Sequence, residues 1–448
     1  MDNFYGKRLL ILGLARQGKA LARFAVGAGA AVTITDLRSP EKLRDILDEL
    51  SDLNIRYVLR EHPMELVDES DILAVSGGVP LETPLVQAAQ ARGIPITNDS
   101  LEFSKRTPTA VIGITGSAGK TTTTALTGVM SQIAGRRTWV GGNIGQPLIA
   151  DLHKMEADDV VVQELSSFQL EIWDRSPHIA TVLNITPNHL DRHKTMKAYT
   201  NAKANILRHQ TADDIAVLCA DDPGSLALSA IVQGQLRLFS LSNEVSEGAM
   251  IRNGRIVIRN GAEKEICHVN EVQLRGRHNL LNVLAATTLA DSAGIPAEAI
   301  AQAIRTFTGV EHRLELVRTR NGVQWINDSI ATAPERSLAA LQAFSEPIIL
   351  LAGGQDKAME WDAWAEAVPQ QTISVILFGE LADLLAKKLT EQQADFVKVN
   401  TMEEAVEVAV ETAVSNDIVL LSPGGTSFDA FDNFAERGEL FRQLVNEL

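Results

Sequence analysis

The stretch from Gly113 to Thr124, GITGSAGKTTTT, gathers residue types suited to holding phosphate. Gly116 and Gly119 permit a tight loop whose backbone N–H groups turn inward, and the helix-like run that follows brings its positive end to the same place. Ser117 and Ala118 complete the loop. Lys120 can reach outer phosphates, and the Thr121 hydroxyl, with Thr122 beside it, can ligate Mg²⁺. The strict phosphate-loop motif has glycine five residues before Gly119. This chain has Ile114 there, so the match is a close variant.

The next two strand-like runs carry a second signal. DVVVQELSSFQLE puts Glu164 at the carboxyl end of a buried strand, and ATVLNITPNHLDRH puts Asn184 and His189 just past the following one. Ligands of open α/β sheets bind outside the carboxyl ends of the strands. Glu164 and His189 are therefore expected to converge on the phosphate loop, a carboxylate and an imidazole suited to divalent metal on phosphates. Taken singly, Glu164 could serve a helix N-terminus and His189 a cap.

Further groups repeat this placement. GLARQG, from Gly13 to Gly18, follows the first strand-like run, and Asp36 ends the second. The G-x₄-G spacing departs from G-x-G-x-x-G, leaving either a nucleotide-type site of unspecified chemistry or a plain turn. GGNIG centres on Asn143. GRHNLLN sets Asn279 and Asn282 three apart on one helix face, where amides could read a base. EHRLE offers His312 and Arg313, INDSIATAPERS ends a strand at Asp328, and AGGQDK brings Lys357 to a Gly-rich strand end. SPGGTSFDAFDNF contains Ser427 and Phe434. Each alone is compatible with loop or cap chemistry. Their regular placement at strand ends is what points to a site.

The elements that must position these groups follow from the hydrophobic pattern. Apolar strand-like runs alternate with helix-period segments, which predicts α/β architecture with parallel sheets. Three blocks stand out, residues 1–98, 99–308 and 309–448. The Asn-Gly in IRNGRIVIRNG predicts a hairpin. With 448 residues, 45% of them hydrophobic, the chain can build several cores. No apolar run approaches the ~20 residues of a membrane span. The N-terminal MDNFYGKRLLILGL reads as a first core strand and not a signal peptide. Two cysteines, Cys219 and Cys267, form no disulfide framework or zinc spacing, which fits a cytoplasmic protein. A formal net charge of −16 argues against nucleic-acid partners.

In their order along the whole chain, GITGSAGKTTTT, GGNIG, ELSSFQLE, NITPNHLDRH, AYTNAK, GRHNLLN, EHRLE, NDSIAT, GGQDK and SPGGTSFDAFDNFAERG resemble the Mur ligase family, the ATP-dependent amide ligases of bacterial cell-wall synthesis. SSFQLE and SFDxFxNFxxRG resemble the member that adds D-glutamate to UDP-N-acetylmuramoyl-L-alanine. The resemblance implies a Rossmann-like N-terminal domain for the UDP end, a central P-loop ATPase domain and a Rossmann-like C-terminal domain for the amino acid, in a monomer. It implies that Lys120 holds the transferring phosphate, that Thr121 and Glu164 ligate one Mg²⁺, and that His189 ligates a second. Lys203, in AYTNAK, matches the lysine that the family carbamylates into a metal-ligating anion. Asn143 would position the acceptor, Asn279 and Asn282 would contact adenine, and Arg313 and Asp328 the rest of ATP. Asp36 and Arg38 match residues near uracil. Lys357, Ser427 and Phe434 would hold glutamate.

Three departures from the family pattern stand out. Ala118 occupies a usual asparagine position, the segment between His189 and Lys203 is slightly short, and Ile330 stands where many relatives carry lysine. The last removes a cation from a site that handles several carboxylates, so the choice between D- and L-glutamate stays open. Arg336 could compensate. Competing readings are another amide ligase of the superfamily such as a folylpolyglutamate synthase, a P-loop kinase or nucleotide-dependent regulator, and a dehydrogenase resting on the first block.

Overall fold

The computed structural model describes residues 3–357 and 359–448, with the side chain of Asp191 excepted. The chain divides into two compact units, Met1–Val272 with His278–Thr306, and Gln273–Arg277 with Phe307–Leu448.

The first unit contains two sheets. In one, β1 (Arg8–Leu12), β2 (Ala31–Asp36), β3 (Ile55–Leu59), β4 (Ile72–Val75) and β5 (Ile96–Thr97) run parallel in the order β3-β2-β1-β4-β5. Leu9 to Leu12 are buried on both faces, as expected of a central parallel strand. The strand order reverses beside β1, so the crevice lies between the loop after β1 and the loop after β4. Gly18 is required there: a Cβ would stand 2.3 Å from the Gly13 carbonyl oxygen.

The other sheet has nine strands, β6 (Val111–Thr115), β7 (Thr138–Gly142), β8 (Val160–Glu164), β9 (Ile179–Val182), β10 (Ile215–Cys219), β11 (Gln235–Ser240), β12 (Gly248–Arg252), β13 (Arg255–Asn260) and β14 (Ala262–His268). Their order is β14-β13-β12-β11-β10-β9-β6-β8-β7. Strand β6 sits between β8 and β9, so the loop after β6 is flanked by the ends of both. The expected hairpin joins β12 to β13 through Asn253 and Gly254, both at positive φ (50° and 73°).

The second unit holds β15 (Glu315–Arg320), β16 (Val323–Asn327), β17 (Ile348–Gly353), β18 (Ser374–Phe378), β19 (Val397–Lys398) and β20 (Ile418–Gly424), ordered β15-β16-β20-β17-β18-β19. All neighbours are parallel except the β15–β16 pair at the edge. The carboxyl ends of β16, β17 and β20 therefore meet at one rim.

Strands at the sheet edges escape the hydrophobic pattern. β3 and β7 are edge strands, and no residue of β3 is fully buried. Their alternation is weak because one side of each lacks a covering neighbour. β7 matters functionally, since it delivers Asn143.

Leu350, fully buried between layers of the third sheet, tests this core. Leu350→Ala is expected to destabilise the second unit by about 2–5 kcal/mol, read as a lowered denaturant midpoint for that unit's transition.

Candidate active site

The loop after β6 is a phosphate cradle in shape. Gly116 (φ 159°) and Gly119 (φ 82°) turn the chain into the helix Lys120–Ile133. Its backbone is tied to the end of β9: Asn184 Oδ1 accepts from the Ala118 N–H at 2.8 Å, and Asn184 Nδ2 donates to the Ala118 carbonyl at 3.1 Å. The Ser117 hydroxyl donates to the Thr186 carbonyl at 3.0 Å. Lys120 folds back on the loop, with Nζ 2.9 Å from the Gly116 carbonyl.

Glu164 ends β8 almost fully buried, with both carboxylate oxygens engaged. The Thr121 hydroxyl donates to Oε2 at 2.9 Å, and Asn143 Nδ2 donates to Oε1 at 2.8 Å. The Asn143 N–H also donates to the Glu164 carbonyl at 2.9 Å. The ends of β6, β7 and β8 thus meet on one carboxylate. Its oxygens and the Thr121 hydroxyl are hard donors of the kind Mg²⁺ takes. No group of three or more histidine, cysteine, aspartate or glutamate residues placed to hold a metal occurs among the described residues.

Lys203 lies on the helix Met196–Arg208 and is 1% exposed. Its Nζ donates to the Gly116 carbonyl at 2.9 Å and lies 4.7 Å above the Tyr199 ring. Burial pushes the ammonium well below the ordinary lysine range, Lys120 pushes the same way, and Glu164 opposes. Desolvation thus favours the neutral amine, which unlike the ammonium of a surface lysine is a nucleophile. Tyr199 is also a site residue that the sequence reading passed over. Its hydroxyl donates to Ser117 Oγ at 2.9 Å, and its spacing four residues before Lys203 on one helix was the available signal.

Asn282 packs on the phosphate loop so closely that a Cβ at Gly119 would stand 2.2 Å from its Oδ1. It donates to Asn279 Oδ1 at 3.1 Å, so the two amides share one face as expected. His189 adopts a left-handed conformation (φ 53°) with its ring 5.0 Å from that of Phe168.

In the first sheet, Arg38 chelates Asp36 through Nε and Nη2 at 2.9 and 2.7 Å, while the Leu14 N–H donates to Asp36 at 2.7 Å. Burial pushes this carboxyl up, but the Arg38 and backbone hydrogen bonds outweigh it and hold it at about 2. Arg38 Nη2 also donates to the Leu14 carbonyl, closing the loops after β1 and β2 around one ion pair.

In the second unit, Asp328 follows β16 and is buried; it accepts from Ser422 Oγ at 2.9 Å and the Leu314 N–H at 3.2 Å. Arg313 and Arg336 act on it electrostatically, and Arg336 Nη1 reaches the Ile330 carbonyl at 3.4 Å. Lys357 lies 4.8 Å above the exposed Phe428 ring. Ser427 is buried in the turn after β20, and Phe434 begins the helix Phe434–Glu447 behind an Asn433 cap. Arg437, the arginine of the SFDxFxNFxxRG pattern, to which the sequence reading gave no role of its own, is fully buried. It ties the Ser329 hydroxyl and carbonyl to the Gly425 carbonyl, joining the loops after β16 and β20.

Residues 7–98 match the MurD-like N-terminal domain of Mur ligases, residues 114–290 the Mur ligase middle domain, and residues 312–425 the Mur ligase glutamate ligase domain. The chain belongs to the Mur ligase family. It is 41% identical over 447 residues to the UDP-N-acetylmuramoylalanine–D-glutamate ligase of Symbiobacterium thermophilum, covering 99% of this chain and 98% of that one. It is 40% identical over 451 residues to the enzyme of the same name from Pelotomaculum thermopropionicum, covering 100% and 99%. Among solved structures, it shares the fold of UDP-N-acetylmuramate–alanine ligase MurC from Thermotoga maritima (TM-score 0.59, 19% identity, 98% and 99% covered). It also shares that of MurF ligase from Thermotoga maritima in complex with ADP (TM-score 0.56, 17% identity, each chain fully covered).

Burial holds the Asp328 carboxyl at about 7, against 3.8 in an exposed chain. The folded state then binds this proton more tightly than the unfolded chain, so raising pH from about 4 to 7 costs stability. Asp328→Asn is expected to lose that downward slope, measured by denaturant unfolding at stepped pH. An identical slope in the variant would refute the shift.

Proposed function

We propose that this chain is an ATP-dependent amide ligase that adds D-glutamate to UDP-N-acetylmuramoyl-L-alanine through an acyl phosphate. The observation that carries the reading is the meeting of Thr121, Glu164 and Asn143 beside a phosphate loop, with a buried lysine amine on the loop's other side. A simple phosphate-binding turn needs neither the carboxylate nor the second lysine. The full-length identity to D-glutamate-adding ligases supports the substrates.

A carboxylate acylates poorly at neutral pH. In the proposed reaction an alanyl carboxylate oxygen attacks the γ-phosphorus of ATP, and ADP leaves. The glutamate amine then attacks the acyl carbon, phosphate leaves, and an amide remains. Catalysis of this kind is positioning plus neutralisation of charge. Lys120 holds the transferring phosphate. Asn143, fixed by Glu164, orients the acceptor, and Asn279 and Asn282 contact adenine. Two Mg²⁺ ions, held by Thr121, Glu164, His189 and carbamylated Lys203, would supply positive charge to the phosphate oxygens. The lowered affinity of Lys203 for protons suits carbamylation, because only the neutral amine adds CO₂. Asp36 and Arg38 receive the uridine end. Arg313 and Asp328 serve ATP, and Lys357, Ser427 and Phe434 serve glutamate. No described helix is long and apolar enough to cross a membrane, and we place the reaction in the cytoplasm with a monomeric enzyme.

Phosphate release should require both glutamate and the muramoyl substrate. Comparable ATP turnover with neither would sink the reading, and a stable phosphorylated product would favour a kinase. Offering both glutamate enantiomers beside L-lysine and meso-diaminopimelate settles the amino acid, with D-glutamate expected.

Lys203→Ala is expected to lose most activity and to regain part of it with added short-chain carboxylates. Full turnover without them would make Lys203 a structural residue only. Lys120→Ala should lose about 10²–10³ in kcat with the fold intact, in line with removing one preorganised charge-stabilising group.

A further inference from the structure

The segment from His189 to Thr195 follows the end of β9 and is held in an unusual shape. His189 is left-handed, and Lys194 (φ 63°, ψ −36°) forms a three-residue turn in which the Thr195 N–H donates to the His193 carbonyl at 2.7 Å. Such turns are rare and strained, so something outside the segment must hold it. Phe168 does so. It stands one turn past Glu164, in the helix Ser167–Leu170, whose N-cap Ser166 and Gln169 form a reciprocal capping box. Three side chains of the segment close on its ring. His189 meets it edge-on at 5.0 Å, His193 stacks at 5.1 Å and 10°, and the Arg192 guanidinium lies 4.4 Å from its centre.

Arg192 then reaches the loop after β4. Nη1 donates to the carbonyls of Gly77 and Gly78 at 3.3 and 3.2 Å, and Nη2 to that of Val79 at 2.5 Å. Three successive carbonyls concentrate negative dipole at the crevice of the first sheet, where an anionic ligand would be repelled. The guanidinium cancels that charge and ties the crevice to the His189 turn.

We propose that Arg192, seated on Phe168, is a positioning residue for the acceptor: it sets the loop of residues 77–79 and the His189 turn at the separation that one diphosphate-linked, carboxylate-ended substrate must span. The inference rests on the acceptor assigned above. Phe168 belongs to the same device, because its ring holds both Arg192 and His189. Loss of either residue therefore weakens acceptor binding through the same contact, and Phe168 additionally loosens His189.

The test is calorimetric binding of UDP-N-acetylmuramoyl-L-alanine to the full chain, with ATP binding measured in parallel. Arg192→Met is expected to raise the acceptor Kd about tenfold, the scale of one lost charge-assisted hydrogen bond, with ATP Kd unchanged and Arg192→Lys intermediate. Phe168→Leu should raise it similarly, and the double variant should be no worse than the weaker single one, since both remove one coupled contact. In turnover, Phe168→Leu alone should also raise the Mg²⁺ concentration for half-activity. Unchanged acceptor binding in Arg192→Met, or additive losses in the double variant, would overturn the proposal. Failure of the wild-type chain to bind the acceptor would overturn the functional reading instead. If Phe168→Leu folds poorly, the Met and Lys variants of Arg192 still decide the question.

Discussion

The hydrogen bond from the Thr121 hydroxyl to the Glu164 carboxylate is the contact on which the site depends. It joins the first turn of the helix after β6 to the end of β8, and Asn143 closes the same carboxylate from the end of β7. Three loops that could each move separately are thereby referred to one buried anion. A buried carboxylate is costly unless its oxygens are matched, so the arrangement also demands those partners.

The same economy governs the other charged groups. An acidic protein that handles anionic reactants must place its cations locally. Lys120 and Lys203 both rest on the Gly116 carbonyl, where the charge of Lys120 adds to the cost of protonating Lys203. Arg38 is spent on Asp36, which shapes a turn more than it advertises charge. Arg437 is buried wholly among carbonyl and hydroxyl oxygens and stitches loops of the second unit. Ile330 leaves its position apolar, and Arg336 reaches only the carbonyl of that residue while its charge bears on Asp328. The guanidiniums therefore serve mostly as architecture.

Much of the fold was legible because parallel strands buried on both faces read as apolar runs. β1, β6, β8, β9, β17 and β20 all follow this rule, and the groups at their carboxyl ends were found from it. The Asn-Gly hairpin was legible for a local reason, since few other dipeptides accept two positive φ values. β3 and β7 were missed because edge strands bury too little to show a pattern. Tyr199, Phe168, Arg192 and Arg437 all stood inside quoted motifs yet were given no role, because aromatic and cationic side chains look alike in sequence whether they hold a loop or merely fill a core.

The sequence by itself determined the phosphate loop, the α/β class, the order of strand-end motifs and the family those motifs resemble. These are matters of backbone permissiveness, hydrophobic period and residue spacing, all local. Only the tertiary structure decided that Glu164 is shared by Thr121 and Asn143, that Lys203 is buried deeply enough to lower its hold on a proton, and that Arg192 lies on Phe168 with three carbonyls in reach. Each of those depends on desolvation and on distances between residues far apart in the chain, which spacing along one strand cannot encode.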